Sequence, residues 1–89
     1  MPHSPEEKVR VLKRVRRIAG QCSALERALE EGADCAPVLQ QIAAIRGAVN
    51  GLMSQVLEAH IREGFAQPGH TPDDAAVQEL LSLVRTYLK

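Results

Sequence analysis

Hydrophobic residues recur along this chain at intervals of three and four, the spacing of helices that pack lengthwise on one another. The first such run begins at the segment SPEE, in which Ser4 is a hydroxyl N-cap followed by a helix-compatible proline and a capping-box glutamate. The helix is predicted to end at about Glu31, before Gly32. Its apolar seam comprises Val11, Val15, Ile18, Cys22, Leu25 and Leu29.

A second helix is predicted from Asp34, as N-cap, to Arg62 or Glu63, with Gly64 as the stop. Two adjacent stripes indicate that this helix has packing partners on more than one side. One stripe comprises Val38, Ile42, Ile45, Val49, Leu52 and Val56, and the other Leu39, Ala43, Arg46, Asn50, Met53, Leu57 and His60.

A third, shorter helix follows a loop that contains Pro68 and Gly69, with Thr71 as its predicted start. Its apolar residues are Val77, Leu80, Leu81, Val84 and Leu88. The short turn at Gly32 makes the first two helices an antiparallel hairpin, in which the numbers of facing residues sum to about 66. The pattern therefore predicts an all-α, three-helix protomer that forms a single domain over residues 1–89.

The length and composition suggest that this protomer does not exist alone. A chain of 89 residues buries a marginal core by itself, and its apolar residues, 45% of the total, include only two aromatic side chains, Phe65 and Tyr87. Cys22 and Cys35 occur without a signal peptide or a long apolar run, which favours a reduced, cytoplasmic setting without a membrane partner. We expect an obligate oligomer with free thiols.

Cys35 and His60 are 25 residues apart on the predicted second helix, which separates them by about 37 Å at 1.5 Å per residue. They therefore cannot meet within one chain. If a second copy of the helix packs antiparallel to the first, Cys35 of one subunit lies beside His60 of the other. The midpoint then falls at Gly47 and Ala48, whose small side chains allow two backbones to approach closely.

The hairpin register places residue 3 near residue 63, so the N-terminus approaches His60 of its own chain. The terminal amine, His3, His60 and Cys35 of the partner subunit would then form one candidate site. At the start of a helix, a cysteine thiolate is stabilised by the helix dipole. His60, taken alone, is more typical of a hydrogen-bonded interface histidine, while Cys22 is predicted in the core and His70 in solvent.

Two readings from other functional classes remain open on the residues alone. A thiol enzyme would use Cys35 with His60, but the chain shows no acid/base set, oxyanion device or substrate pocket. A structural helical adaptor would keep the apolar seams without needing either residue. We therefore expect a protein that is not an enzyme.

The zero net charge conceals a basic first helix. Six of the eleven basic residues lie between Lys8 and Arg17, and no acidic residue occurs from Lys8 to Leu25. A shared face for DNA phosphates is predicted from the i, i+3, i+4, i+7 spacing of Arg10, Lys13, Arg14 and Arg17. Arg46 on the second helix either extends this surface or makes a hydrogen bond at a subunit interface.

Three segments resemble the CsoR/RcnR/FrmR family of small helical transcriptional repressors. They are MPHSPEEKVRVLKRVRRIAGQ, the single Cys35 ahead of LQQIAAIRGAVNGLM, and EAHIRE. The resemblance spans almost the whole chain and weakens after Phe65. It implies a homotetramer, a dimer of dimers, that binds double-stranded operator DNA and releases it when an inducer occupies a site between subunits.

The family's sensing positions can be compared with this chain one at a time. Copper(I) sensors need a second cysteine at the position of Gly64, and persulfide sensors need one at the position of His60. Formaldehyde sensors join the amine of an N-terminal proline to the shared cysteine through a methylene bridge, and Pro2 and Cys35 match these positions. The resemblance thus implies a formaldehyde-responsive repressor that requires no cofactor, provided that Met1 is removed.

Nickel and cobalt sensors of the family give the alternative. They use an N-terminal histidine, the shared cysteine and histidine, and a further histidine at the position of Gly64. This chain offers His3, Cys35 and His60. The alternative prediction is a metal-responsive repressor that holds Ni(II), Co(II) or Zn(II) at the Cys35/His60 site.

Overall fold

The computed structural model describes residues 4–65 and 73–88, and within these ranges the chain is entirely helical apart from its turns. The helices are α1 (Pro5–Glu30), α2 (Cys35–Phe65) and α3 (Asp74–Tyr87). The prediction of an all-α, three-helix protomer is therefore confirmed. Pro2, His3, His70 and Thr71 lie outside the described residues.

Local hydrogen bonds define where the first two helices begin. Ser4 Oγ accepts a hydrogen bond from the Glu7 amide at 3.2 Å, which confirms Ser4 as the N-cap of α1. The second helix begins at Cys35, directly after Asp34, whose carbonyl accepts from the Val38 amide at 3.3 Å. Cys35 is therefore the first helical residue of α2.

The turn between α1 and α2 is a Schellman motif. The Ala33 amide donates to the Ala28 carbonyl at 2.9 Å, and the Gly32 amide donates to the Leu29 carbonyl at 3.1 Å. Gly32 has φ of 78°, a left-handed conformation that costs glycine little. The predicted stop at Gly32 is confirmed, and the chain reverses direction there.

Two predicted boundaries are wrong. Gly64 does not end α2, because the helix continues to Phe65; glycine within a helix costs only about 1 kcal/mol relative to alanine. The N-cap of α3 is Asp73 rather than Thr71, since Asp73 Oδ1 accepts from the Ala76 amide at 2.8 Å. A carboxylate two residues further along thus caps the helix.

Contacts between α1 and α2 establish an antiparallel hairpin. Arg62 Nη1 lies 3.1 Å from Glu7 Oε1 at the open end, and the Arg14 guanidinium contacts Gly51 nearer the middle. In both pairs the residue numbers sum close to the predicted 66. The first turn of α1 therefore lies beside the end of α2 that carries His60.

The face of α1 that packs on α2 differs from the predicted seam. Val11, Ile18 and Leu25 are half-buried as predicted, but Val15, Cys22 and Leu29 are exposed. The other half-buried positions on this face, which alternate with Val11, Ile18 and Leu25, are Arg14, Gln21 and Ala28. Residues spaced by three and four can form either of two neighbouring stripes on a helix, and these stripes share every second residue. The position of α2 determines which of the two stripes is covered.

The sides of α2 are also assigned differently from the two predicted stripes. Both α1 and α3 contact this helix, which confirms that it packs on more than one side. The row beside α1 comprises six half-buried residues and the buried Ala59: Val38, Gln41, Ile45, Ala48, Leu52, Gln55 and Ala59. Ile42 and Val49, predicted to lie in the same row as Val38, instead lie on an exposed face.

The described part of the chain has almost no interior. Ala59, 3% exposed, is its one buried hydrophobic residue, and the structure measures 57 × 28 × 12 Å. Such a thin layer cannot enclose large side chains, and Leu29 and Leu39 are each 58% exposed. Of the described helices, none is long and apolar enough to span a membrane.

Candidate functional site

Cys35 and His60 occupy opposite ends of one uninterrupted helix. Cys35 is exposed and its thiol is free, whereas the His60 side chain is 31% exposed. The 25 residues between them correspond to about 37 Å of helix, so the two side chains cannot form a site within one chain. Within residues 4–65 and 73–88, no cluster of three or more His, Cys, Asp or Glu side chains is suited to hold a metal ion.

The structure reveals a stripe on α2 that begins at Cys35 and ends at His60. Its members, spaced alternately by four and three, are Cys35, Leu39, Ile42, Arg46, Val49, Met53, Val56 and His60. The first five are exposed. We call this row the α2 stripe, and it combines members of both stripes predicted from the sequence.

The α2 stripe is symmetric about a point between Gly47 and Ala48. An antiparallel second copy would therefore place Leu39 opposite Val56 and Cys35 opposite His60. Leu39 and Ile42, in the N-terminal half of the stripe, would then face the apolar residues Val56 and Met53 of the partner's C-terminal half. This self-complementarity is the geometry of a twofold interface, in which one surface patch pairs with itself.

His60 lines an apolar cavity of about 430 Å³ between α2 and α3. Glu79 Oε1 lies 3.9 Å from His60 Nε2, close enough to pair with a protonated imidazole. The remaining lining residues are Met53, Val56, Leu57, Leu83, Tyr87 and Leu88. The sequence analysis did not identify Glu79 as part of this site. Its position directly before the half-buried Leu80 could have indicated that it lies at the edge of the α3 face that packs on α2.

An ionic cluster ties the start of α1 to the end of α2. Arg62 contacts Glu7 at 3.1 Å and Glu58 at 3.3 Å, and the Glu7 side chain is only 14% exposed. Glu7 Oε2 and Gln55 Oε1 line the same cavity, are buried and have no hydrogen-bond partner. The first turn of α1 is thereby tied to α2 within one helical turn of His60.

The predicted basic face divides into exposed and half-buried members. Arg10, Lys13 and Arg17 are exposed on α1, whereas Arg14 is half-buried and its guanidinium lies against Gly51 of α2. Arg14 borders two cavities between the helices, of about 340 and 290 Å³. The four side chains still lie along one side of α1, but Arg14 contacts the second helix.

Arg46 is exposed and belongs to the α2 stripe rather than to the surface of α1. Its position adjoins the midpoint of that stripe, opposite Val49 in an antiparallel pair. This location fits the interface role considered from the sequence as well as a contribution to a surface formed by two subunits.

Comparisons with known proteins cover the full extent of the chain. The model of the family "Metal-sensitive transcriptional repressor" matches residues 7–86. An "uncharacterized protein in bioA 5' region" of Serratia marcescens is 53% identical, and the transcriptional repressor RcnR of Salmonella paratyphi B is 42% identical; each alignment covers 100% of both chains.

A solved structure shows the same fold. It is a variant of the formaldehyde-responsive regulator FrmR from Salmonella enterica serovar Typhimurium, which is 56% identical to this chain. The match has a TM-score of 0.83 and covers 97% of this chain and 99% of the other.

Proposed function

Because this chain belongs to the family of metal-sensitive transcriptional repressors, which are not enzymes, we propose that it represses an operator and releases the DNA in response to formaldehyde. The inducer would join the amine of Pro2 to Cys35 of a neighbouring subunit. The observation that supports this proposal most directly is that the thiol of Cys35 is exposed at one end of the self-complementary α2 stripe. The 56% identity with a formaldehyde-responsive regulator favours the same inducer.

The proposed sensor depends on a homodimer formed through the α2 stripe, with two dimers forming a homotetramer. Leu39 and Ile42 are 58% and 45% exposed, and an antiparallel partner offers Val56 and Met53 to cover them. Each large aliphatic side chain that becomes buried contributes about 1.5–3 kcal/mol. The same packing brings Cys35 of one subunit to His60 of the other.

The proposed reaction needs an amine, a thiol and one molecule of aldehyde. The secondary amine of Pro2, available after removal of Met1, adds to formaldehyde, and the adduct takes up a proton and loses one water to form an iminium ion. The Cys35 thiolate then attacks the iminium carbon and forms the N–CH₂–S bridge; the proton given up by the thiol balances the one taken up, so the overall reaction releases a single water. His60, near Glu79, would accept the thiol proton, and His3 would lie beside the bridge.

The proposed DNA surface is the basic side of α1, repeated in each subunit. Arg10, Lys13, Arg14 and Arg17 would contact phosphates of double-stranded operator DNA, with Arg46 extending the surface. Few residues suited to reading bases accompany them, so specificity would depend largely on DNA shape. A cytoplasmic location would accord with such binding, since the operator and the repressor must meet.

Derepression would be transmitted through α1. A bridge at Pro2 would pull the first turn of α1 towards the neighbouring subunit, and the Glu7–Arg62 contact would keep that turn fixed to the helix pair so that the whole of α1 responds. Since α1 continues from this turn to Arg17, a change in its tilt would move the basic side out of register with DNA. A coupling of a few kcal/mol is sufficient for such a response.

A second candidate is a repressor that responds to nickel or cobalt. The family description and the 42% identity with RcnR favour it, and His3, Cys35 and His60 would be the ligands for Ni(II), Co(II) or Zn(II). Gly64 supplies no side-chain donor, so the terminal amine, backbone or water would complete the coordination.

One experiment separates the two candidates. Purified tetramer bound to operator DNA is treated in parallel with formaldehyde, nickel, cobalt and copper, and DNA release and intact mass are measured. The proposal expects release with formaldehyde and a gain of about 12 Da per bridge, one carbon after loss of water, located at Pro2 and Cys35. Release with stoichiometric metal and without an aldehyde adduct would establish the metal-responsive alternative instead.

A further inference from the structure

Gly51 differs from the other described glycines in what occupies the space beside it. A Cβ atom built at Gly51 would overlap Arg14 Nη1 and lie 3.4 Å from Arg14 Cζ. At Gly20, Gly32, Gly47 and Gly64 the same construction meets nothing within 4 Å. The guanidinium of Arg14 thus lies in space that any larger residue at position 51 would fill.

This contact gives Arg14 an environment that the neighbouring basic residues lack. Arg14 is half-buried, while Arg10 and Arg17 are exposed. Gln55 lies one turn beyond Gly51 on α2, and the buried Gln55 Oε1 lacks a donor in the cavity that Arg14 also lines. The guanidinium is therefore partly confined against α2, and it borders the same cavity as Gln55.

Confinement of this kind matters for phosphate binding. A long, solvated arginine loses much rotamer freedom when it binds an anion, whereas one already confined by packing loses less. Arg14 is half-buried rather than buried and lines two cavities between α1 and α2, so part of its side chain remains accessible to an anion.

We propose that Gly51 is a positioning residue for DNA binding. Because glycine has no side chain, a space remains beside α2 at position 51. The Arg14 guanidinium occupies this space, which restricts it to an orientation suited to a DNA phosphate. The inference rests on the proposed function of the basic side of α1 and adds a residue of α2 that need not touch DNA.

The test compares Gly51→Ala with Gly64→Ala in the full-length tetramer. Both changes place alanine within α2, where alanine favours the helix, but only the first displaces Arg14, and Gly64 lies outside the α2 stripe. Operator affinity is measured by fluorescence anisotropy over a range of salt concentrations. Gly51→Ala is expected to weaken binding about tenfold, the effect of removing one charged hydrogen bond, while Gly64→Ala keeps the parent affinity.

Two further readouts exclude a purely structural effect. The melting temperature of Gly51→Ala should equal or exceed that of the parent, and sedimentation should show the same assembly. The slope of log affinity against log salt should become shallower by about 0.9 for each phosphate that the protein no longer neutralises. Weakened binding together with a lower melting temperature or a changed assembly would overturn the inference.

A double-mutant comparison distinguishes this inference from the proposal beneath it. In an Arg14→Ala background, Gly51→Ala should cause no further loss of affinity. A persisting loss would show that Gly51 acts without Arg14. If Arg14→Ala weakens binding but Gly51→Ala does not, the positioning role of Gly51 is refuted and the proposed DNA surface is retained. If Arg14→Ala has no effect, the role of Arg14 in the proposed DNA surface is refuted as well.

Discussion

At the scale of single residues, the two cysteines differ in the helix face on which they lie. Cys35 is the first residue of α2 and the first member of the α2 stripe, so an antiparallel partner would place it beside His60. Cys22, the other cysteine, is also exposed, but it lies within α1 and outside that stripe. Exposure alone therefore does not distinguish the two thiols.

This difference predicts that Cys35→Ala abolishes induction and leaves repression intact. The variant should bind operator DNA with the parent affinity, gain no mass with formaldehyde and retain the DNA in its presence. The matched change Cys22→Ala should leave the adduct and the release unchanged. An adduct that forms at full yield without Cys35 would refute the proposed bridge.

At the scale of helices, the contacts between α1 and α2 carry both proposed functions. Arg14 crosses to Gly51 in the part of the hairpin that would face DNA, and Glu7 meets Arg62 at the part nearest the proposed sensor. A rigid α1 connects the two contacts over two helical turns. Changes at either contact are therefore expected to affect a function located at the other.

Glu7 ties the first turn of α1 to the end of α2 through Arg62. Glu7→Gln weakens the contact with Arg62, and because Arg62 is about half exposed the decrease in stability should not exceed about 1 kcal/mol. With this tie weakened, a pull at Pro2 would turn the first turn of α1 without tilting the whole helix, so the formaldehyde adduct should form normally but release less DNA. Thermal unfolding and anisotropy measure the two effects.

Glu6→Gln is the control, because it removes the same charge one residue earlier from an exposed position in the first turn of α1. It should leave both adduct formation and DNA release at the parent level. Equal behaviour of the two variants would show that the Glu7–Arg62 contact does not transmit the signal.

The basic side of α1 carries Arg14 and Arg17. Combined charge reversal, Arg14→Glu with Arg17→Glu, should abolish operator binding because each phosphate contact becomes repulsive. Sedimentation should still show the tetramer. Reversal of Arg85, an exposed arginine in the last turn of α3, should have little effect by comparison. Unchanged binding by the double variant would remove this surface from consideration.

At the scale of the whole molecule, the thin protomer has a single buried apolar residue among those described, which favours assembly with a partner. The exposed residues along α2 follow a symmetric order, which a non-specific hydrophobic surface would not require. In the proposed dimer, assembly and sensing therefore depend on the same interface, which would complete the core and would also bring Cys35 to His60 of another subunit.

Leu39→Asp should dissociate this assembly, since a charge would be placed opposite the apolar Val56 of the partner subunit. Sedimentation is expected to show a smaller species, and both operator binding and adduct formation should disappear together. Gln40→Asp adds a charge at the adjacent exposed position, outside the α2 stripe, and should preserve the assembly. A tetramer that survives Leu39→Asp would contradict the proposed register.

The structure also shows where the spacing of apolar residues does not determine which side chain is covered by a neighbouring helix. Val15 and Arg14 fit neighbouring stripes of the same heptad spacing, and apolar character alone favours Val15. Arg14 nevertheless lies on the side of α1 that faces α2, where Gly51 leaves room for its guanidinium. Glu79 approaches His60 only through the packing of α3 on α2, which no local pattern encodes.

The sequence by itself determined the three helices, the turn at Gly32 and the separation of Cys35 from His60, because caps, glycine conformations and helical rise are local properties. Tertiary structure alone decided which stripe faces which neighbour, that Arg14 lies against Gly51 and that Glu7 pairs with Arg62. These choices depend on how two helices rotate against each other, and side chains far apart in the chain determine that rotation through their shapes.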